Sequence, residues 1–175
     1  MSIDPRANTN VAQLIDANLD RAREGLRVIE DWCRFGLCQK DLVITLKDWR
    51  QQLGNCHRDI YKQARSTAKD QGLGLSHPAQ NDRNSPEKVI AANCSRVQEA
   101  LRVLEEFSRS SDPDLATVSA KIRYGLYDLE TKVLQITIRT KRRQKLNSNN
   151  LYLITSPQTK LLETVEKALI SGVGI

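Results

Sequence analysis

No apolar run in this sequence approaches the roughly 20 residues that cross a bilayer. The start, Met1-Ser2-Ile3-Asp4-Pro5, lacks the basic-then-apolar layout of a secretory leader. The expected address is therefore the cytoplasm, with no membrane partner. Glycine (8), proline (5) and aromatics (5%) are scarce in 175 residues, which disfavours a turn-rich β-sandwich and favours helices. Histidine occurs only as His57 and His77, and Cys33, Cys38, Cys56 and Cys94 form no Cys-x-x-Cys pair. Zinc ligands come at short paired spacings, so no structural metal is expected and the thiols read as buried and reduced. Nucleotide and hydrolase fingerprints are missing too: there is no Gly-x-x-x-x-Gly-Lys-Ser/Thr, Gly-x-Ser-x-Gly or His-Glu-x-x-His.

Acidic charge falls short of basic charge by six, 21 Asp and Glu against 27 Lys and Arg. Arg139, Lys141, Arg142, Arg143 and Lys145 place five of the positive charges within seven residues, and without them the chain carries +1 (6 − 5). Beside Asn147-Ser148-Asn149-Asn150 this run reads as a solvated linker. No RNP, zinc-finger or recognition-helix pattern accompanies it, so no nucleic-acid partner is expected.

What is present is helical periodicity. Leu14, Ile15, Leu19, Ala22, Leu26, Ile29 and Cys33 recur at three-and-four spacing, which predicts a helix from about Ala7 to Phe35 that stops at Gly36. A second helix is expected from Asp41, as its cap, to Ser66, carrying Leu42, Leu46, Trp49, Leu53 and Ile60. Residues 67–85, with Gly72, Gly74, Pro78 and Gln80-Asn81-Asp82-Arg83-Asn84, form a long loop of the size that often binds ligands. Ser85-Pro86 opens a third helix that reaches about Ser110. Asp112-Pro113 opens a fourth, which runs to about Arg139.

Residues 15–34 and 90–109 repeat one another. Ten of twenty positions are identical at a constant offset of 75, where chance gives about one or two. Trp49-Arg50-x-x-Leu53 is echoed by Ile122-Arg123-x-x-Leu126. The expected fold is mainly α: a four-helix domain of two repeated helical hairpins.

Repeated leucines follow from packing, but repeated polar residues need another reason. With Asn18 set at zero on a 100° wheel, the apolar stripe centres near about 40°. Asn18 then lies within the stripe, Arg21 at its edge near about 300° and Glu24 beyond it near about 240°. Asn93, Arg96 and Glu99 take the same three angles in the third helix. One reading is a register device, Asn18 and Arg21 pairing with Asn93 and Glu99 between helices. The other is a polar pocket in which arginines hold phosphate and carboxylates hold Mg²⁺. Arg27 and Arg102 fall opposite the stripe, and Glu30 and Glu105 flank it, where pairing along the helix would suffice. The loop adds Arg65, Asp70, Gly72, Gly74, His77 and Arg83.

Three segments in order, residues 16–31, 92–106 and 121–130, carry a resemblance that covers about residues 10–138. They resemble the signatures of the helical domain fused ahead of thiamine-phosphate synthase in cyanobacteria. The resemblance implies a small hydroxymethylpyrimidine-phosphate kinase, with ATP and Mg²⁺ as cofactors and the pyrimidine phosphate as small-molecule partner. It makes Arg21, Arg96, Glu24 and Glu99 the candidate catalytic residues, with Asn18, Asn93, Arg65, Asp70 and Arg83 as substrate- or nucleotide-binding residues. No metal ligand is singled out, and a homo-oligomer is left open. The loop departs from the family pattern at Leu73, where a Thr usually follows the first glycine.

The C-terminal segment carries a second resemblance. Leu151–Thr155 reads as a buried strand, residues 161–172 as an amphipathic helix ending at Gly172, and Val173-Gly174-Ile175 as the start of another strand. This resembles the first βα unit of the synthase (β/α)₈ barrel, which needs about 200 residues or more. The expected organisation is a helical kinase-like domain over 1–138, a basic linker over 139–150 and an incomplete barrel start over 151–175, without synthase activity of its own. Two alternatives to the kinase are a non-catalytic dimerisation or docking module and a fragment of the synthase.

Overall fold

The computed structural model describes residues 5–66, 68, 70–72, 74–75, 83–147 and 160–171. Every regular element among them is helical: α1 (Pro5–Asp31), a π-helical turn (Trp32–Gly36), α2 (Lys40–Asn55), α3 (Asp59–Gln63), α4 (Pro86–Ser108), α5 (Pro113–Asn147) and α6 (Leu161–Ile170). No described helix is long and apolar enough to cross a membrane. The chain divides into two units, Met1–Leu134 and Gln135–Ile175.

In the first unit, α1 packs most extensively on α4 and next on α2. The expected stripe of α1 is the core, with Ile15, Leu19, Ala22, Leu26, Ile29 and Cys33 all buried. Ile90, Cys94, Val97, Leu101 and Leu104 of α4 are buried too, as are Leu46 and Leu53 of α2 and Leu115, Ile122 and Leu126 of α5. Small residues set the closest approaches. A Cβ on Gly25 would lie 2.5 Å from Cγ2 of Val97, and one on Gly125 would lie 2.7 Å from Cζ2 of Trp49. Glycine at these two sites draws α1 onto α4 and α5 onto α2.

Helix ends follow local chemistry. The Ser85 hydroxyl accepts from the Lys88 N–H at 3.4 Å, with Pro86 at the first helical position. Asp112 Oδ1 accepts from the Leu115 N–H at 3.3 Å and so starts α5. Asp41 does not cap α2: the N-cap is Gln39, without a side-chain bond, and Asp41 lies in the first turn.

Three boundaries differ from expectation. The last turn before Gly36 is π-helical, closed by Leu37 N–H donating to the Trp32 carbonyl at 3.1 Å. The second expected helix breaks at Asn55: His57 N–H bonds back to the Gly54 carbonyl at 3.2 Å, and Arg58 is extended. Helix α3 then restarts the chain in a new direction. Finally, α5 continues past Arg139 through the basic run to Asn147, because nothing there breaks a helix and all of Lys, Arg and Gln propagate one well.

The thiols are less uniform than expected. Cys33 and Cys94 are buried, Cys56 is half-buried, and Cys38 is exposed at φ 54°. Burial pushes the Cys33 thiol up to about 11 and the Cys94 thiol up to about 12, which leaves both protonated and inert.

In the second unit, α6 coincides with the expected amphipathic helix, and Leu162, Leu169 and Ile170 are exposed. The expected strands at 151–155 and 173–175 lie outside the described residues, as do His77 and Leu73.

Candidate functional site

The repeat supplies two copies of Asn-x-x-Arg-x-x-Glu, and the α1–α4 packing brings them together. Asn18, Arg21 and Glu24 from α1 line one cavity with Arg96, Glu99, Ala100 and Val103 from α4, and its volume is about 450 Å³. That falls in the size range of small-molecule sites. Both Asn residues are buried, at 6% and 4% exposure, while the arginines and glutamates reach the surface. This is the placement their wheel angles predict.

The asparagines do not pair between helices. Asn18 Nδ2 donates to the Leu14 carbonyl at 2.9 Å, and Asn93 Nδ2 donates to the Val89 carbonyl at 2.8 Å. Each amide is satisfied one turn back along its own helix, which removes the need for a partner elsewhere. Asn93 Oδ1 also accepts from Arg96 Nη1 at 3.2 Å, and so orients that guanidinium. Arg21, Glu24 and Glu99 make no ion pair or hydrogen bond among the described residues. Two cations and two anions thus border one cavity, with three of the four uncommitted.

Glu30 and Glu105 of the repeat are each held by an arginine of the following helix. Glu30 is fully buried and accepts from Arg50 Nη1 at 2.6 Å, with Arg27 at 3.7 Å on its other oxygen. Its repeat counterpart Glu105 accepts from Arg123 Nη2 at 2.8 Å and from Arg102 Nη1 at 3.2 Å. Burial alone would raise the Glu105 carboxyl, but the hydrogen bond and charge of Arg123, with Arg102 and Arg109, hold it below its ordinary value. The expected pairing along the helix exists, and a stronger pair to the next helix accompanies it.

The loop candidates lie elsewhere. Arg65 donates through Nε to Asp16 at 2.6 Å, through Nη2 to Asp16 at 3.0 Å, and also to Asp20. Asp70 accepts from the Gly72 N–H at 2.8 Å in a tight turn, and Gly74 follows with φ 78°. Arg83 is half-buried. None of the three lines the cavity of Arg21 and Arg96.

Two clusters had no signal in the sequence. His57 Nε2 sits 3.3 Å from Oδ1 of buried Asp16, without the alignment of a hydrogen bond, so this contact is ionic only when the ring is protonated. Tyr61 donates to Asp112 at 2.7 Å, and Arg58 meets the same carboxylate at 2.8 Å. Burial first, then the bond to Asp112, pushes the Tyr61 phenol up to about 12. The first joins the α2–α3 connection to α1 and the second joins α3 to the start of α5, and both follow from the break at Asn55. A second cavity of about 390 Å³ is lined by Asp20, Arg23, Glu24, Arg27 and Arg50. No group of three His, Cys, Asp or Glu among the described residues is placed to hold a metal ion.

The ThiD2 family profile matches residues 13–132, which contain both copies of the polar repeat and the cavity. The chain is 64% identical over 178 residues to a thiamine-phosphate synthase of Prochlorococcus marinus strain MIT 9303, covering 99% of this chain and 50% of that protein. It is 64% identical over 174 residues to a thiamine-phosphate synthase of Synechococcus sp. strain CC9605, covering 99% and 48%. A thiamine-phosphate synthase of Prochlorococcus marinus strain MIT 9313 is likewise 64% identical over 178 residues, with 99% and 50% covered. The chain thus spans about half the length of these curated relatives. No solved structure matches it. On the match over residues 13–132, the chain belongs to the ThiD2 family.

Proposed function

We propose that the helical unit acts in thiamin biosynthesis, transferring a phosphoryl group from ATP to hydroxymethylpyrimidine phosphate. The observation that carries this reading is the uncommitted charge around the α1–α4 cavity. Arg27, Glu30, Arg102, Glu105 and Arg109 of the repeat are ion-paired, whereas Arg21, Glu24 and Glu99 have no partner among the described residues. Charged groups kept unpaired beside one cavity are suited to a ligand that bears both signs, such as a phosphate with its divalent cation.

Phosphoryl transfer asks a protein for positioning and charge neutralisation rather than covalent chemistry. Arg21 and Arg96 would clamp phosphate oxygens, and Asn93 holds Arg96 in place through its Oδ1. Glu24 and Glu99 would hold Mg²⁺, which supplies positive charge to the phosphates when bound. Mg²⁺ uses one or two carboxylates and completes its shell with phosphate and water, so a cage of three protein ligands is not required. Asn18 lines the same cavity, its amide nitrogen engaged by Leu14, and offers its oxygen as an orienting acceptor. Asp70 and Arg83 are assigned to the nucleotide from the loop. Arg65, committed to Asp16 and Asp20, is assigned to holding α1 against the segment after α3.

A coupled assay of ATP consumption with the pyrimidine phosphate as acceptor tests this. Arg96→Ala is expected to keep the fold and lose about 100-fold or more in turnover, the usual cost of removing one transition-state donor. An unchanged rate in a folded Arg96→Ala protein removes this site from the reaction. No ATP turnover by the wild-type chain removes the reaction itself.

A further inference from the structure

The second cavity repays comparison with its repeat counterpart. Arg23 lines it, and its Nε is buried without any hydrogen-bond partner. Arg50 lines it as well, and its Nε is also buried and unpartnered, although its Nη1 holds Glu30. A guanidinium N–H left unpaired within the protein is costly, so two beside one cavity favour an acceptor that enters the cavity. The carboxylates at hand do not provide it. Asp20 is held by Arg65, and Glu24 lines the same cavity but makes no hydrogen bond to Arg23.

At an offset of 75, Arg23 corresponds to Gln98, while Arg27 corresponds to Arg102. Gln98 is fully accounted for by the fold, its Nε2 donating to Glu130 at 2.8 Å. Arg123, the echo of Arg50, is likewise committed, to Glu105 and Tyr127. Packing therefore accepts glutamine at this position in one half of the unit. Arg23 in the other half lies over Gly54 and leaves its Nε without a partner.

We propose that the cavity of Arg23, Arg27 and Arg50 is a second phosphate-binding site. Glu24 borders both this cavity and that of Arg21 and Arg96. A carboxylate shared by two neighbouring sites faces both of their ligands. The identity of the ligand rests on the kinase reading, in which both substrates carry phosphate: the nucleotide polyphosphate or the pyrimidine monophosphate. The cavity itself rests only on the two unpartnered Nε donors.

Isothermal titration of the full chain with pyrophosphate tests the site without requiring turnover. Arg23→Gln, which installs the residue of the other repeat, is expected to weaken binding by about 10- to 100-fold, the loss of charged hydrogen bonds. Arg27→Gln, at an exposed position, is a second variant should the first unfold, and is expected to weaken binding in the same direction. Arg102→Gln, at the repeat counterpart of Arg27, is expected to bind as wild type does. In the kinase assay, Arg23→Gln is expected to raise the KM of one substrate about tenfold and leave the other, which identifies the source of the phosphate. Wild-type affinity in folded Arg23→Gln and Arg27→Gln, or equal weakening in Arg102→Gln, overturns the proposal. Pyrophosphate binding through Arg23 without phosphoryl transfer leaves the cavity standing and removes the kinase reading. Phosphoryl transfer with an unaltered Arg23→Gln protein removes the cavity alone.

Discussion

Among single residues, the repeated charges separate into two kinds that sequence spacing does not distinguish. Glu30 and Glu105 are buried or nearly so and hold arginines of the following helix, whereas Glu24 and Glu99 hold nothing among the described residues. The Glu105–Arg123 pair makes a testable contribution. Its carboxyl is held below the ordinary value, so its stabilisation is fully present above the unfolded-state pKa and fades as pH falls through the folded one. Urea midpoints are expected to drop between about pH 5 and pH 3, and Glu105→Gln should flatten that drop. At neutral pH the same variant should cost about 2 kcal/mol, since both partners are largely shielded. Parallel pH profiles for the two proteins would show that the pair does not contribute.

Between elements, the α1–α4 approach sets the width of the candidate site. Gly25 permits it, for its Cβ would collide with Val97, while the repeat counterpart of Gly25 is Ala100. Gly25→Ala gains helix propensity but overpacks against Val97, with a net loss of about 1 kcal/mol expected. Adding Val97→Ala should relieve the clash, so the double variant should fall short of additivity by about 1 kcal/mol in denaturant melts. Strict additivity would mean that the helices separate freely and that Gly25 does not set the spacing. The break after Asn55 is the other decisive element. Periodicity predicts a second helix on to Ser66, because Ile60 continues its apolar rhythm. The chain instead turns, placing Arg65 on Asp16 and Asp20 and Tyr61 on Asp112. Those partners are 49, 45 and 51 residues away, and local periodicity carries no record of them.

At the scale of the molecule, the division falls at Leu134, a few residues before the boundary expected from composition, and α5 runs through the basic segment. Residues 141–146 are exposed on that helix, and four of them are Lys or Arg. Limited trypsin digestion is expected to cut first within Arg139–Lys145 and to leave the first unit as the long-lived product, read by mass spectrometry. A basic segment that stays uncut while other sites are cleaved would count against this boundary.

Sequence by itself determined the buried stripes of the long helices, the starts of α4 and α5 and the doubled polar line. Hydrophobic period and N-cap chemistry are local properties, and a repeat of 75 residues records its own symmetry. It also showed that Asn18 and Asn93 would be buried, since a wheel angle needs no knowledge of the partner helix. Tertiary structure alone decided the rest. It satisfied the asparagines within their own helices, bound Glu30 to Arg50 and Glu105 to Arg123, and left Arg21, Glu24 and Glu99 beside a cavity. It also buried the Nε of Arg23 without a partner, where the equivalent Gln98 has one. Whether a charged side chain is paired depends on what packing brings within about 3 Å of it, and that distance is set by the whole fold.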